Sequence, residues 1–190
     1  MAEPAARKLE TRPAKPPTPE RLRRRALYYL ERFAASRAHL GHVLARRALR
    51  DAQALDLPAA PVRAAIDDLL DDLERLGLLN DRAYAEARAR RLAEKGKPPR
   101  RIAQDLASRG VDRELARATT CALEEASPDL ELTTAIAFAR RRRLGPFARE
   151  ETAQASGKAL AAFARAGFSS TIARRILAAA SIDELEGDGG

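Results

Sequence analysis

The sequence predicts an all-α fold of three tandem three-helix modules, forming an elongated, slightly curved helical array, and three observations carry that expectation. Alanine and leucine dominate a chain that is 45% hydrophobic but only 4% aromatic and has no tryptophan, a composition that favours helices and lets them approach closely. Apolar residues recur at intervals of three and four rather than two. The chain also repeats itself: LASRGVDRELARATTCAL from Leu106 aligns with FARAGFSSTIARRILAAA from Phe163, an offset of 57.

In that alignment Leu106 matches Phe163, Gly110 matches Gly167, Val111 matches Phe168, and the cap-competent Asp112 matches Ser169. Upstream, Arg91-Leu92 matches Arg143-Leu144 with an offset of 52, which puts a five-residue insertion in the loop GPFAREETAQASGK. The first module diverges more. Its LARRAL, from Leu44, resembles LASRGV with Ala48 in the place of the glycine. An array of this kind offers an extended surface rather than one deep pocket.

Taken in order, residues 1–20 are expected to be a disordered, basic, proline-rich arm, interrupted by Pro4, Pro13, Pro16, Pro17 and Pro19. Repeat 1 spans 21–78. Thr18 can cap a first helix that has Pro19 at its start, and Leu22, Ala26, Tyr29, Leu30 and Phe33 form its buried stripe. That helix is expected to run to about Ser36, which caps a second one from Arg37 to Arg50 with Leu40, Val43, Leu44 and Ala48 inward. Pro58 and Pro61 bracket a turn. The third helix sets Val62, Ile66, Leu69, Leu70, Leu73 and Leu76 against Asp67, Asp68, Asp71, Asp72 and Glu74, and Gly77 stops it.

Repeat 2 spans 79–127. Asn80 or Asp81 accepts a first-turn amide, with Asp81 taken as the cap, and Tyr84, Ala87 and Leu92 face the core. KGKPP is a loop, Arg100 to Arg109 is a short helix on Ile102 and Leu106, Gly110 closes it, and Asp112 caps a helix carrying Leu115, Thr119 and Ala122. Repeat 3 spans 128–183 and opens with a helix marked by Leu132, Ile136, Ala139 and Leu144. Residues 184–190 are expected to be a disordered tail.

The residues exclude most catalytic chemistries. His39 and His42 share a helical face, but a metal needs further ligands and no nearby pattern supplies them. Cys121 is alone, which leaves no disulfide framework, and it is read as a small packed side chain in an apolar helix. Gly96-Lys97-Pro98 and Gly157-Lys158-Ala159 lack the GxxxxGK[ST] pattern and are read as surface turns. No catalytic, cofactor or metal residue is assigned. No apolar leader or spanning segment occurs, so a cytoplasmic protein with no membrane partner is expected.

Charge points to a polyanion. The net charge is +8, and residues 1–25 hold eight Lys/Arg against three Asp/Glu, which leaves only +3 for the rest. Three further clusters stand out: Arg46, Arg47 and Arg50; Arg88, Arg90, Arg91, Arg100 and Arg101; and Arg140, Arg141, Arg142 and Arg143, with Arg174 and Arg175 near the end. A repeated module sets such clusters at related places, which favours one filament- or DNA-binding stripe.

Several ordered motifs carry a family likeness: GLLNDRAYAEARARR from Gly77, with Asp81 and Tyr84 in an "LND..YA" pattern; ALYYLERFAASRAHLGHVLARR from Ala26; and KGKPPRRIAQDLASRGVD from Lys95. On these the chain, from about Leu22 to Ala180, resembles the RecX family of regulators of the RecA recombinase. It departs from the family's pattern at Gly41, at Pro98-Pro99, in an Arg-rich third module and in its long N-terminal arm. The resemblance implies a helical modulator, not an enzyme, that lodges in the groove of the RecA–single-stranded DNA filament. There it would mainly inhibit recombinase, ATPase and coprotease activities, with roles in DNA repair, homologous recombination and the SOS response. The expected partners are the filament protein and its single-stranded DNA, with free DNA left open, and a monomer is expected. Asp81, Tyr84, Gly110 and Gly167 would be structural.

Two other classes fit parts of the chain. RRIAQDLASRGVDRELARA reads as helix, glycine turn, helix, like a helix-turn-helix DNA-binding protein, although Asp112 and Glu114 would then approach phosphates. Lone single-strand or RNA binding is the other, and the aromatic platforms it needs are scarce.

Overall fold

The structure is a computed structural model that describes residues 13–148, 153–181 and 184–185. Expectations for residues 1–12, 149–152, 182–183 and 186–190 lie outside the described residues. Among those described there is no strand. The chain divides into two compact units, residues 1–79 and 80–190.

The first unit holds α1 (Pro19–Leu30), α2 (Arg37–Ala54) and α3 (Ala59–Arg75). Residues 13–18 lead into α1 as coil, with the Thr18 amide donating to Pro16 O at 3.0 Å, and the helix starts at Pro19 as expected, although the Thr18 side chain makes no cap bond. Ser36 caps α2 by accepting from the His39 amide at 3.2 Å, as its position suggests. The core joins Leu22 and Ala26 of α1, Leu40, Leu44, Ala48 and Ala52 of α2, and Val62, Ile66, Leu69, Leu70 and Leu73 of α3.

The second unit holds two three-helix sets. In the first are α4 (Asp81–Glu94), α5 (Pro99–Ser108) and α6 (Arg113–Ala126). In the second are α7 (Leu130–Arg142), a 3-10 turn (Gly145–Phe147), α8 (Ala153–Ala166) and α9 (Ser170–Ala178). Ile102, Leu106 and Val111 centre one core, while Phe163, Phe168 and Ile176 centre the other.

The repeat is a backbone device before it is a sequence one. After α5, Gly110 takes φ +78, its amide bonds Ala107 O, and the Val111 amide bonds Leu106 O at 3.1 Å. After α8, Gly167 takes φ +95, and the same pair of bonds runs to Ala164 O and Phe163 O. This double closure satisfies the last carbonyls of a helix and turns an apolar side chain into the core. Val111 and Phe168 are accordingly only 3% and 5% exposed. Asp112 and Ser169 then cap α6 and α9, as the alignment predicts.

In the first unit the equivalent residue is Asp56, not Ala48. Asp56 takes φ 55, and the Leu57 amide bonds Ala52 O at 2.9 Å, whereas Ala48 is buried in the middle of α2. α2 therefore runs a turn beyond the expected Arg50. The upstream register also shifts. Gly96, at φ +69, ends α4 with the Lys97 amide on Leu92 O, and Arg143, at φ 55, ends α7 with the Leu144 amide on Ala139 O. Gly96 to Arg143 is an offset of 47, so the insertion relative to the 57 of Gly110 to Gly167 is ten residues rather than five. Gly157, Lys158 and Ala159 belong to α8 instead of a turn.

Other side chains sit differently from their helical spacing. Phe33 is 56% exposed because α1 stops at Leu30: both the Arg32 and Phe33 amides close on Tyr29 O, and the helical phase is lost. Leu76 is 57% exposed at the end of α3; Gly77 turns the chain there, and Leu79 enters the core instead. In α4 the buried face is Ala85 and Ala89, with Tyr84 and Leu92 half-buried beside them and Ala87 exposed. Alanines carry little apolar weight, so packing rather than pattern sets that rotation. Asn80, not Asp81, caps α4, accepting from the Ala83 amide at 2.9 Å. Cys121 and Ala122 are exposed, because Leu115, Ala116, Thr119, Thr120 and Leu123 form the inward face of α6. Thr119 and Thr120 tolerate burial by donating to Leu115 O and Ala116 O at 2.8 and 3.1 Å.

A non-glycine residue held in a left-handed conformation costs about 1–2 kcal/mol. Arg143→Gly is therefore expected to raise stability by about 1 kcal/mol, or about 2–4 °C in Tm for a chain of this size, measured by calorimetric melting. Asp56→Gly is expected to gain less, since aspartate tolerates that region better.

Candidate functional site

The arginines do not share one fate. Arg88, on α4, grips Asp105, on α5: its Nη2 donates to Oδ2 at 3.0 Å and its Nε to Oδ1, with both side chains largely shielded. The hydrogen bond to Asp105 holds the Arg88 guanidinium above the usual range, against the opposing effect of its burial. Arg88 thus belongs to the packing of α4 on α5.

Arg101 works between the two three-helix sets of the second unit. It sits in the first turn of α5, where the helix dipole disfavours a cation. Its guanidinium reaches the C-terminal end of α8, Nε donating to Ala166 O at 3.3 Å and Nη2 to Arg165 O. The charge is carried from the positive end of one helix to the negative end of another, where carbonyls lack intrahelical partners. The stem of Arg101 lies on Gly167; a Cβ there would stand 2.7 Å from Arg101 Cγ. Gly167 is thus required by its left-handed backbone and again by this contact.

The last turn of α7 brings the cations of the second set to the same place. Arg142 lies over the Phe138 ring at 5.9 Å, and Arg140 over Phe147 at 5.4 Å. Arg141 reaches the α4–α5 turn, its Nη2 only 3.7 Å from where a Gly96 Cβ would be. Phe138, Phe163 and Phe168 form a cluster with centroids 5.2 to 5.6 Å apart.

One cleft of about 760 Å³ opens here, with Lys97, Arg101, Arg141, Arg142 and Arg165 as its cations and Phe138, Phe168 and Leu92 as its apolar surface; Arg140, Phe147 and Phe163 lie outside its lining. Asp105 is the carboxylate in that lining, and Arg88 already engages it. The cleft therefore carries a strong positive field beside aromatic edges. Such a surface can hold phosphate oxygens with guanidinium forks beside a small apolar contact area.

Of the arginines singled out in the sequence, Arg101, Arg141 and Arg142 meet in this cleft. Arg90, Arg91 and Arg100 are exposed on α4 and α5 outside its lining, Arg140 and Arg143 are exposed at the end of α7, and Arg174 and Arg175 are exposed on α9. Arg46, Arg47 and Arg50 lie on α2 of the first unit. Lys97 and Arg165 were missed. Each stands close to a left-handed residue, Gly96 or Gly167, and that proximity is the signal that could have drawn attention to them. Among the described residues, no group of three or more His, Cys, Asp and Glu side chains could hold a metal ion, and no helix is long and apolar enough to cross a membrane.

Fold and cleft together define an all-helical repeat protein with a cationic, aromatic-edged cleft between two of its three-helix sets. Residues 80–119 match the family model for the second three-helix domain of RecX. The chain is 39% identical over 166 residues to the regulatory protein RecX of Myxococcus xanthus, a match covering 84% of this chain and 86% of that protein. It is 34% identical over 157 residues to the regulatory protein RecX of Agrobacterium fabrum, covering 82% and 81%. The crystal structure of RecX from Lactobacillus salivarius shares the fold, with a TM-score of 0.61 at 22% identity over 88% of this chain and 96% of that one. The chain belongs to the RecX family of regulatory proteins.

If Arg101 and Gly167 form the joint between the two sets, Gly167→Ala is expected to cost about 1–3 kcal/mol, and Arg101→Ala about 1 kcal/mol, in denaturant unfolding. Arg100→Ala, one residue away and outside the joint, is expected to stay within about 0.5 kcal/mol of the parent.

Proposed function

We propose that this chain binds the RecA–single-stranded DNA filament and mainly inhibits the recombinase, ATPase and coprotease activities of RecA, lodging in the filament groove. The observation that carries this reading is the cleft of the second unit, where Arg141 and Arg142 from α7 face Lys97 and Arg101 beside Phe138 and Phe168. Family membership supports it, because the relatives are named regulatory proteins. A filament made of protein and nucleic acid offers phosphates to the guanidinium groups and apolar contacts to the rings. ATP hydrolysis would belong to the filament.

The helix-turn-helix alternative gains no support from α6. Its first turn holds Asp112 and Glu114, and the Asp112 carboxylate is spent on the Glu114 and Leu115 amides at 2.9 and 3.2 Å. A carboxylate at that point would meet phosphates with like charge.

Titrating the protein into RecA-driven ATPase and strand-exchange reactions is expected to reduce both at substoichiometric ratios. The Arg141→Ala/Arg142→Ala variant is expected to need at least about tenfold more protein for the same inhibition, corresponding to ~1.4 kcal/mol. Its helicity should be unchanged. Full inhibition by that variant would remove the cleft from the interface, and no inhibition by the parent protein would remove the filament.

A further inference from the structure

The first unit contains a second cationic cavity that the filament reading does not use. It measures about 340 Å³ and lies where residues 15–17 fold back on α1 and α2. Lys15, Arg21, Arg24, Arg25 and Arg47 line it, against the single carboxylate of Asp51. Asp51 is already committed: Arg47 Nε stands 3.5 Å from its Oδ2, and the side chain is only 15% exposed.

Three of these cations come from one helix face, since Arg21, Arg24 and Arg25 are spaced i, i+3 and i+4. Arg47 faces them from α2. The coil is held against α1 as the Arg21 guanidinium donates to Pro16 O at 3.2 Å, and both residues line the cavity. Arg25 shows the consequence of the crowding. Burial lowers its pKa first, and the like charge of Arg47 lowers it next, with Arg46 and Arg21 adding to the effect against the opposing charge of Asp51. Arg21, Arg25 and Arg47 are half-buried beside the exposed Lys15 and Arg24, and an anion among them would relieve the repulsion between like charges.

We propose that this cavity is a seat for linked phosphate groups, in which Arg21, Arg24, Arg25 and Arg47 converge on two or three successive phosphates. Guanidinium forks match phosphate oxygens in pairs, and the volume lies at the small end of ligand pockets, which run from about 300 Å³. The shared chemistry is a chain of phosphates, supplied by the diester backbone of a single strand or by a phosphoanhydride chain. The site stands on the first unit's own residues.

The test uses the full chain, inorganic tripolyphosphate and a short oligothymidylate, with binding read by calorimetry. Tripolyphosphate is expected to bind the parent protein and raise its Tm. Arg25→Gln/Arg47→Gln is expected to lose at least about tenfold in affinity, while Arg63→Gln, an exposed α3 arginine outside the cavity, binds like the parent. Arg25→Lys, which keeps the charge but not the fork, should bind more tightly than Arg25→Gln and more weakly than the parent. Should the double variant melt early, Arg24→Gln, at an exposed lining position, provides the same reading. Oligothymidylate displacing tripolyphosphate identifies the diester source, and failure to displace identifies the anhydride source. Absence of tripolyphosphate binding, equal binding by the cavity variants, or equal competition by an oligoglutamate of matched charge overturns the seat. Because RecA is not in the assay, failure here is distinguishable from failure of the filament reading.

Discussion

Between the second and third helices of each set the chain turns through only three or four residues, and one of them takes a left-handed backbone. The three sets of this protein depend on that constraint. Asp56, Gly110 and Gly167 each take positive φ, and in each case the following amide reaches back to the helix: Leu57 to Ala52, Val111 to Leu106, Phe168 to Phe163. The bond spends a carbonyl that would otherwise be orphaned, and it aims the side chain after the turn across the end of the helix. The next helix then begins at once, capped by Asp112 in the second set and by Ser169 in the third. In the third set the Ser169 amide and hydroxyl also engage Glu131, on α7, at 2.7 and 3.1 Å, which ties the start of the last helix to the start of the first. One backbone conformation therefore fixes the path between the second and third helices of every set.

How much of this could be read from sequence follows from which residue occupies the left-handed position. Where it is glycine, at Gly110 and Gly167, the alignment finds it and the caps fall into place. Where it is aspartate, as at Asp56, the signal vanishes, and Ala48 was matched in its place although it is an interior helical residue. Arg143 hides the end of α7 in the same way, because an arginine in a run of four does not suggest a turn. The sequence accordingly predicts an insertion of five residues where the structure has ten. Helix faces show a second limit. Strong stripes of leucine and isoleucine in α3 predicted burial at Val62 through Leu73, while the alanine-rich α4 left its rotation undetermined, and Ala85 and Ala89 took the core rather than Ala87.

The candidate site was less legible than the fold for an electrostatic reason. Arginine counts locate charge along the chain but do not say where each side chain spends its donors. Arg88 is consumed by Asp105, a partner 17 residues away, and Arg101 by carbonyls 64 and 65 residues away. Lys97 and Arg165, isolated cations in the sequence, stand in the cleft because the α4–α5 turn and the last turn of α8 place them there.

Arg101 links these two levels of organisation. Its stem rests on Gly167, the residue whose left-handed backbone ends α8, and its guanidinium satisfies carbonyls at that same helix end. A turn that makes the repeat is thus also the anchor for a cation of the cleft. With its donors so placed, Arg101 contributes a fixed positive charge to the cleft, since moving it would expose both the carbonyls and the glycine. Arg141 and Arg142 arrive instead from the exposed last turn of α7, where aliphatic stems allow the charged heads to be redirected at little cost. A cleft with one anchored cation and several adjustable ones can keep its field while its contacts adapt. That combination suits a partner whose phosphates recur along its length and need not stand in one unique position.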